Sequence, residues 1–532
     1  MLLSFIYLVF VSLLKLLIRN GRPAPTGPLM RHRDAPTASA RADARLRVAL
    51  RAALSATLVL AFAPVGVGLA AQRRSTPVSV SVDGSHPGAP VPRDFLGLSF
   101  EASALARIAS YADGGDLVTM LRSLGVGVLR FGGGSADTRV AWTDEATARP
   151  SWASSILEAR DLRELGTLAA KSGWHIVLTI GLAHYEPEAA AREVAAAKAA
   201  LGEWLEAIEL GNEPNAFAQH GLRSEPWTFV QYDAEVAAYR SAIEAAAPGI
   251  PLAGPDVSGS GAFESWGLGE VINQRPAELT GHHYPLGCEQ VPAPSIARLL
   301  SPLIHRQEVG SLRRYMSIAQ ASNTPLRLDE INTVSCGGAA GISNTFASAL
   351  WAVGYLTKAM SMGVAGINLH GNPARCDGYT PVCATAPEDL ATGALHAQPE
   401  WYALLLARAL IGKRPLHTIV SSPGRPNVEV TTLRAADGTL HFVIVDDDPP
   451  GARSVAVRLR VGSGFRGASI LSLTAPSPAA LSGVKLGGRA VAPDGSWSEP
   501  SRLPHAPNRD GVITVDITPS SAALLTVSPR GK

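Results

Sequence analysis

Ile208-Glu209-Leu210-Gly211-Asn212-Glu213-Pro214-Asn215 sets a carboxylate directly after a short apolar run that opens at Ala207. Leu326-Arg327-Leu328-Asp329-Glu330-Ile331-Asn332 repeats that arrangement later in the chain. Each is followed by loop residues and then a segment of helical pattern. A short apolar run, a polar end and a helix make one strand–helix unit. When such parallel units close into a barrel, the strand C-termini share one face. Two glutamates at those ends then look across a common opening.

The same texture runs outward in both directions. Strand patterns lie at 96–101, 126–131, 175–182, 207–213, 251–257, 279–284, 326–331 and 366–370, and helical patterns at 115–124, 161–172, 188–201, 228–247, 296–322 and 344–362. Alternation of this kind predicts parallel βα units, here an α/β fold with a (β/α)8 TIM barrel over 94–410. A doubly wound sheet would need a phosphate-binding glycine turn after the first strand. Phe131-Gly132-Gly133-Gly134-Ser135 follows the second strand and lacks that spacing, so it reads as a tight turn at the barrel mouth. Beyond Pro415 short strands at 428–433, 440–446, 454–459, 468–473 and 511–517 alternate with turn residues, which predicts a C-terminal all-β sandwich over 411–532. The alternation at 77–83 is of the same kind, so 72–93 is expected to add an N-terminal strand to that sandwich.

Residues 1–71 read as a targeting segment. The apolar run 54–71 follows Arg41, Arg45, Arg47 and Arg51 and ends in small residues, the form of a secretory signal cleaved near Ala71. The earlier run at 2–18 is either a signal anchor or an over-extended reading frame before a true start at Met30. Both readings make the remainder secreted or extracytoplasmic, touching a membrane only through that N-terminal anchor. A net charge of +2 with scattered basic residues carries no nucleic-acid footprint. Cys288, Cys336, Cys376 and Cys383 are an even set in an exported chain, so disulfides are expected, Cys376–Cys383 within one loop and Cys288–Cys336 between neighbouring loops. No zinc spacing is present, and adjacent His282 and His283 would point to opposite faces of a strand. No metal and no cofactor are expected.

The chemistry follows from the two strand ends. Glycosidic cleavage needs an acid on the leaving oxygen and a carboxylate at the anomeric carbon. Glu213, beside an Asn212 that can hold a sugar hydroxyl and a Pro214 that stiffens the turn, reads as the acid/base. Glu330 reads as the nucleophile. Tyr284, ending strand six, can donate to Glu330, and Arg130, ending strand two, can keep it ionised. Asp329 would face away from Glu330, Glu209 reads as a buried structural acid, and His282, His370 and Trp351 read as core or loop residues.

These residues resemble the glycoside hydrolases of clan A. Leu129-Arg130-Phe131-Gly132-Gly133-Gly134, His282-His283-Tyr284-Pro285, Asn332-Thr333-Val334-Ser335-Cys336-Gly337-Gly338 and Ser343-Asn344-Thr345-Phe346 extend the match to something similar to family 79, the heparanase and β-glucuronidase family. The resemblance covers about 77 to 530. It implies β-glucuronides as carbohydrate substrates, cleaved with retention. It implies uronate recognition by the loops after strands six and seven, around Tyr284 and Asn332–Gly338, where the Gly337 and Gly338 N–H groups would form an anion nest. It further implies that Glu101 and Asp137 accept hydrogen bonds from glycon hydroxyls. One departure is that no Lys or Arg follows Glu330 in its loop. The reading is a retaining exo-acting β-glucuronidase, working through a covalent glycosyl-enzyme. The alternatives are a clan A β-xylosidase or β-glucosidase and a non-catalytic carbohydrate-binding protein.

Overall fold

The computed structural model describes residues 76–146 and 148–531. The segment 1–71, read as a signal or anchor, lies outside the described residues.

Eight parallel strands close into a barrel: β1 (Leu96–Glu101), β2 (Val128–Gly132), β3 (His175–Ile180), β4 (Leu205–Leu210), β5 (Leu252–Ser258), β6 (Glu278–His283), β7 (Leu326–Ile331) and β8 (Gly366–Gly371). They neighbour one another in chain order, and β8 closes on β1. Outside run α1 (Leu117–Leu124), α2 (Ala159–Ser172), α3 (Pro187–Leu201), α4 (Phe229–Ala246), α5 (Gly259–Asn273), α6 (Pro302–Ser322), α7 (Phe346–Met362) and α8 (Pro399–Ala407). The barrel is the fold expected from the alternating pattern.

Two helices escaped that pattern. The α5 sequence carries glycines at 259, 261, 267 and 269, each unfavourable in a helix interior. Tertiary packing overrides this: Phe263 lies against Tyr315 and Trp266 against Tyr232. Helix α8 is buried along its whole length and so shows no amphipathic period. The single helix read over 296–322 is interrupted before Pro302, where the Ser301 side chain caps α6 by accepting from Ile304 N.

The barrel interior is polar at two levels. Near the base Arg327 donates to Glu278 and Asn368. Gly366 makes room for it, since a Cβ there would overlap the guanidinium. Val128, Val177, Ala207 and Ala253 form a small apolar cluster between strands β2 to β5. Above this cluster lies Arg130, fully buried and level with Ser99 of β1 by register.

The C-terminal module is one 11-stranded sheet that folds over itself. Strand Arg414–Ser421 belongs to both layers, pairing Val428–Arg434 through its first residues and Thr76–Asp83 through its last. Thr76–Asp83 also runs parallel to Val455–Arg460. Val78, Val80, Val457 and Leu459 from one layer share an apolar core with Phe442, Ile444, Leu525 and Val527 from the other. The alternate residues Val443, Val445 and Leu524 turn outward into the barrel's own core. That two-sided burial is why Leu440–Asp446 is apolar at nearly every position.

Cys288 bonds Cys336, joining the loops after β6 and β7, and Cys376 bonds Cys383 within the loop after β8. No helix among the described residues is long and apolar enough to cross a membrane.

Candidate active site

The C-terminal ends of the strands surround a cleft of about 740 Å³, lined among others by Glu101, Asn212, Glu213 and Glu330. Glu330 is the penultimate residue of β7, at a register shift against both neighbours. Its Oε1 accepts from the Tyr284 hydroxyl at 2.8 Å and its Oε2 from Arg130 at 2.7 Å. His370 Nδ1 lies 3.7 Å from Oε2. Burial alone would raise this carboxyl, but the His370 and His282 imidazoles, the Arg130 guanidinium and the Tyr284 hydrogen bond outweigh it. Glu330 is held well below the usual carboxylate range and is ionised.

Glu213 does not lie in a strand. Strand β4 stops at Leu210, and Glu213 sits in the following turn at a left-handed φ of 49°. Its N–H donates to the Asp256 carbonyl at 2.9 Å, anchoring the turn on β5. The side chain is about a quarter exposed, and its Oε1 lies 3.0 Å from His282 Nδ1. The same Nδ1 is 3.9 Å from Glu330 Oε1. One imidazole nitrogen thus sits at both carboxylates and holds them at short range. That is compatible with the spacing of about 5–5.5 Å that a retaining pair requires.

Behind the pair lies a buried charge network. Arg130 Nε donates to Glu209 and lies 3.0 Å from Asp329, and its two terminal nitrogens reach Glu330, Asn212 and Asp256. His282 Nε2 meets Asp256 Oδ1 at 2.7 Å. Burial opposes a charge on His282, but Asp256 and Glu330 raise it well above an ordinary histidine. Asp329 is pushed up by burial and by Glu209, against the pull of Arg130.

Several sequence readings change here. Arg130 is mid-strand and fully buried, so it positions Glu330 and Asn212 and does not touch substrate. Asp329 does not face away from Glu330: the register shift in β7 turns both side chains towards Arg130. Asp137 is buried and accepts the N–H groups of Leu182, Ala183 and Asn212, so it staples three turns rather than binding a sugar. Burial lifts its pKa to about 6 despite those donors. Asn332 is buried too, donating to the His370 carbonyl and to Glu400. Gly338 N–H turns to Ser335 O at 3.3 Å, so the two-glycine nest does not form.

Other readings are placed at the cleft. Glu101 accepts from Ser135 N and keeps a third of its side chain exposed. The Asn212 amide oxygen is held by Arg130 at 3.0 Å, and Asn212 lines the cleft. Tyr379 N–H donates to the Gly337 carbonyl at 3.3 Å, and the Tyr379 hydroxyl lies 3.3 Å from that of Tyr284. Gly338 permits this approach, because a Cβ there would collide with Tyr379 N.

His282, Asp256, His370 and Tyr379 are the residues that sequence reasoning passed over. For His282 a signal existed: it stands two residues before Tyr284, and alternate residues of a strand share a face. Asp256, His282 and Asp329 bring donor atoms within 4.8 Å of one another, as do His305, Glu429 and Asp447. In the first group Arg130 already supplies the positive charge, and in the second Lys358 lies 2.7 Å from Glu429.

The fold has solved counterparts. A 4-O-α-L-rhamnosyl-β-D-glucuronidase from Fusarium oxysporum 12S superposes with a TM-score of 0.67 at 19% identity, covering 85% of this chain and 99% of its own. A family GH51 arabinofuranosidase from Xanthomonas axonopodis pv. citri gives 0.61 at 15% identity, over 85% and 100% of the two chains. A monomeric β-xylosidase from Caulobacter crescentus CB15 gives 0.54 at 16% identity, again over 85% and 100%. No family model matches the chain, and no curated protein matches it in sequence. At these identities the likeness is one of fold: a barrel with an appended β-domain.

Proposed function

We propose that this protein is a retaining β-glycosidase that hydrolyses β-glucuronides one unit at a time. The observation that carries the reading is the convergence of Glu213 and Glu330 on His282 Nδ1, with Glu330 held ionised. In the first step the Glu330 carboxylate attacks the anomeric carbon while Glu213 gives its proton to the departing oxygen. A covalent glycosyl–Glu330 ester results. In the second, Glu213 takes a proton from water, which attacks the same carbon and releases the sugar. Tyr284 and Arg130 orient the nucleophile. Glu101 and the Asn212 amide bind glycon hydroxyls. No cofactor enters these steps.

Support for a uronate comes from cationic side chains at the cleft. Arg107 and Arg139 line the same cleft from the loops after β1 and β2. The glucuronidase among the structural counterparts agrees with this choice. A second reading, a neutral β-glycoside, draws on the loop after Glu330, which carries no cationic side chain as far as Asn344. The two disulfides fit the oxidising, extracytoplasmic setting that the N-terminal signal reading requires.

The test is hydrolysis of p-nitrophenyl β-D-glucuronide beside the matching glucoside and xyloside, using residues 73–532. Turnover of the glucuronide alone supports the uronate reading. Turnover of a neutral glycoside alone keeps both glutamates and moves the specificity. Inactivity on all three and on oligosaccharides favours a carbohydrate-binding protein.

A further inference from the structure

A second cavity of about 750 Å³ lies at the other end of the barrel, where the strand N-termini meet the C-terminal sheet. Its barrel wall includes Arg93, just before β1, Arg122 of α1, and Arg408 and Lys413 after α8. Its sheet wall carries the hydroxyls of Ser469 and Thr526 and the imidazole of His441. Among the described residues none of these four cations has a carboxylate within ion-pair distance, and Glu499 is the single acid on the rim. Three of them are secured by backbone instead, Arg122 by donating to Lys171 O at 2.7 Å. Arg408 donates to Ser123 O and lies over the Trp497 ring, and Lys413 donates to Ala409 O. Apolar side chains complete the lining, among them Ile411, Leu471 and Val126, the last 43% exposed.

Cations gathered in a concave site raise each other's energy, and their summed field draws in an anion. Burial lowers the pKa of both Arg408 and Lys413, so each is less comfortable as a cation here than in water. His441 is pushed down to about 4 by burial and by Lys413, so it is neutral at pH 7 and free to hydrogen-bond without adding charge. Glu499 acts on Arg408 and Asp437 on Lys413, so four cations face two acids and the site keeps an excess of positive charge for a ligand to meet. The cavity matches the catalytic cleft in volume, which is enough for a disaccharide. Its mixed lining suits a molecule with apolar C–H faces and charged edges.

We propose that this cavity is an auxiliary binding site for an acidic saccharide, with Arg93, Arg122, Arg408 and Lys413 engaging its carboxylate or sulfate groups. The guanidinium forks can take such oxyanions in bidentate fashion. The site sits apart from Glu213 and Glu330, so it would hold an acidic glycan without presenting it for cleavage. The choice of a saccharide rests on the glycosidase reading. The choice of an anion rests on the cavity alone.

The experiment is calorimetric titration of residues 73–532 with sucrose octasulfate and with digalacturonate, alongside sodium sulfate and neutral cellobiose. The expected result is saturable binding of the two acidic saccharides, weakened about tenfold or more in Arg93→Ala/Lys413→Ala. Arg107→Ala, at the catalytic cleft, should leave that binding in place, and the paired variant should keep turnover of an aryl glycoside. If the paired variant melts early, Arg93→Glu, a change at an exposed position, serves instead. Absence of binding, binding indifferent to these substitutions, or sodium sulfate binding as tightly as the saccharides would each overturn the proposal. Binding is read without turnover, so a failure of the glycosidase reading is seen separately in the aryl-glycoside assay.

Discussion

His282 Nδ1 lies 3.0 Å from the Oε1 of Glu213, and the opposite ring nitrogen meets a buried acid, Asp256, at 2.7 Å. The imidazole therefore links the exposed carboxylate of the cleft to the charge network inside the barrel. Removing His282 leaves Asp256 facing Arg130 alone. Breaking a buried ion pair on one side costs about 3–5 kcal/mol. His282→Ala should lower the unfolding midpoint clearly, and Asp256→Asn in the same chain should recover part of it. A denaturation double-mutant cycle that came out additive would show that the two residues act independently.

Under the proposed mechanism, replacement of either Glu213 or Glu330 should abolish most turnover. Glu213→Ala is expected to lose about 10²–10⁴-fold in kcat on a poor leaving group, the usual contribution of a general acid. Glu330→Ala should lose at least as much and regain activity with azide, which enters the space left by the carboxylate. Near wild-type rates in both variants would remove the site assignment, and product analysis of the azide reaction identifies which residue is the nucleophile.

Tyr284→Phe deletes one donor to Glu330 while leaving the ring stacked on Tyr379. A hydrogen bond to a charged group contributes about 1.5–3 kcal/mol, or roughly 10- to 100-fold in rate. The loss should appear in kcat/KM with the melting temperature little changed. An unaltered rate would mean that Arg130 alone is enough to orient the nucleophile.

Glu400 supplies a pH test of the fold. It is buried, accepts from Asn332 through one oxygen, and its other oxygen has no partner. Burial raises its pKa to about 8. A carboxyl with a raised folded value binds its proton more tightly folded than unfolded. Stability therefore falls as pH rises from about 4.5 to 8, by ~1.4 kcal/mol for each unit of displacement. Glu400→Gln should be close to neutral at pH 5 and stabilising at pH 8. Melting curves across that range check the sign, and parallel curves for the two proteins would contradict it.

How much of this was legible beforehand depends on the range of the interaction. Most of the eight strands could be read because they are local apolar runs, covered on both sides once the barrel closes, while β6, Glu278-Leu279-Thr280-Gly281-His282-His283, was legible only from its place in the alternation. Helix α5 could not, because its glycines mask a helix that exists only through Phe263 and Trp266 packing on neighbours. Glu213 and Glu330 were legible as polar ends of apolar runs. Asp137 and Asn332 carried the same local signature, yet their side chains are consumed by backbone groups of distant loops.

By itself the sequence determined the barrel and the β-module and pointed to Glu213 and Glu330 as the proposed acids, since strand period, turn chemistry and polarity at strand ends are properties of neighbouring residues. Only the tertiary structure decided what those glutamates face. A one-residue register shift in β7 turned Asp329 inward beside Glu330, and barrel closure set His282 between two acids. It also brought cations from distant parts of the chain together at the N-terminal end of the barrel, against the C-terminal sheet. Charge–charge energies depend on distance and burial, and both are fixed by residues far apart in the chain.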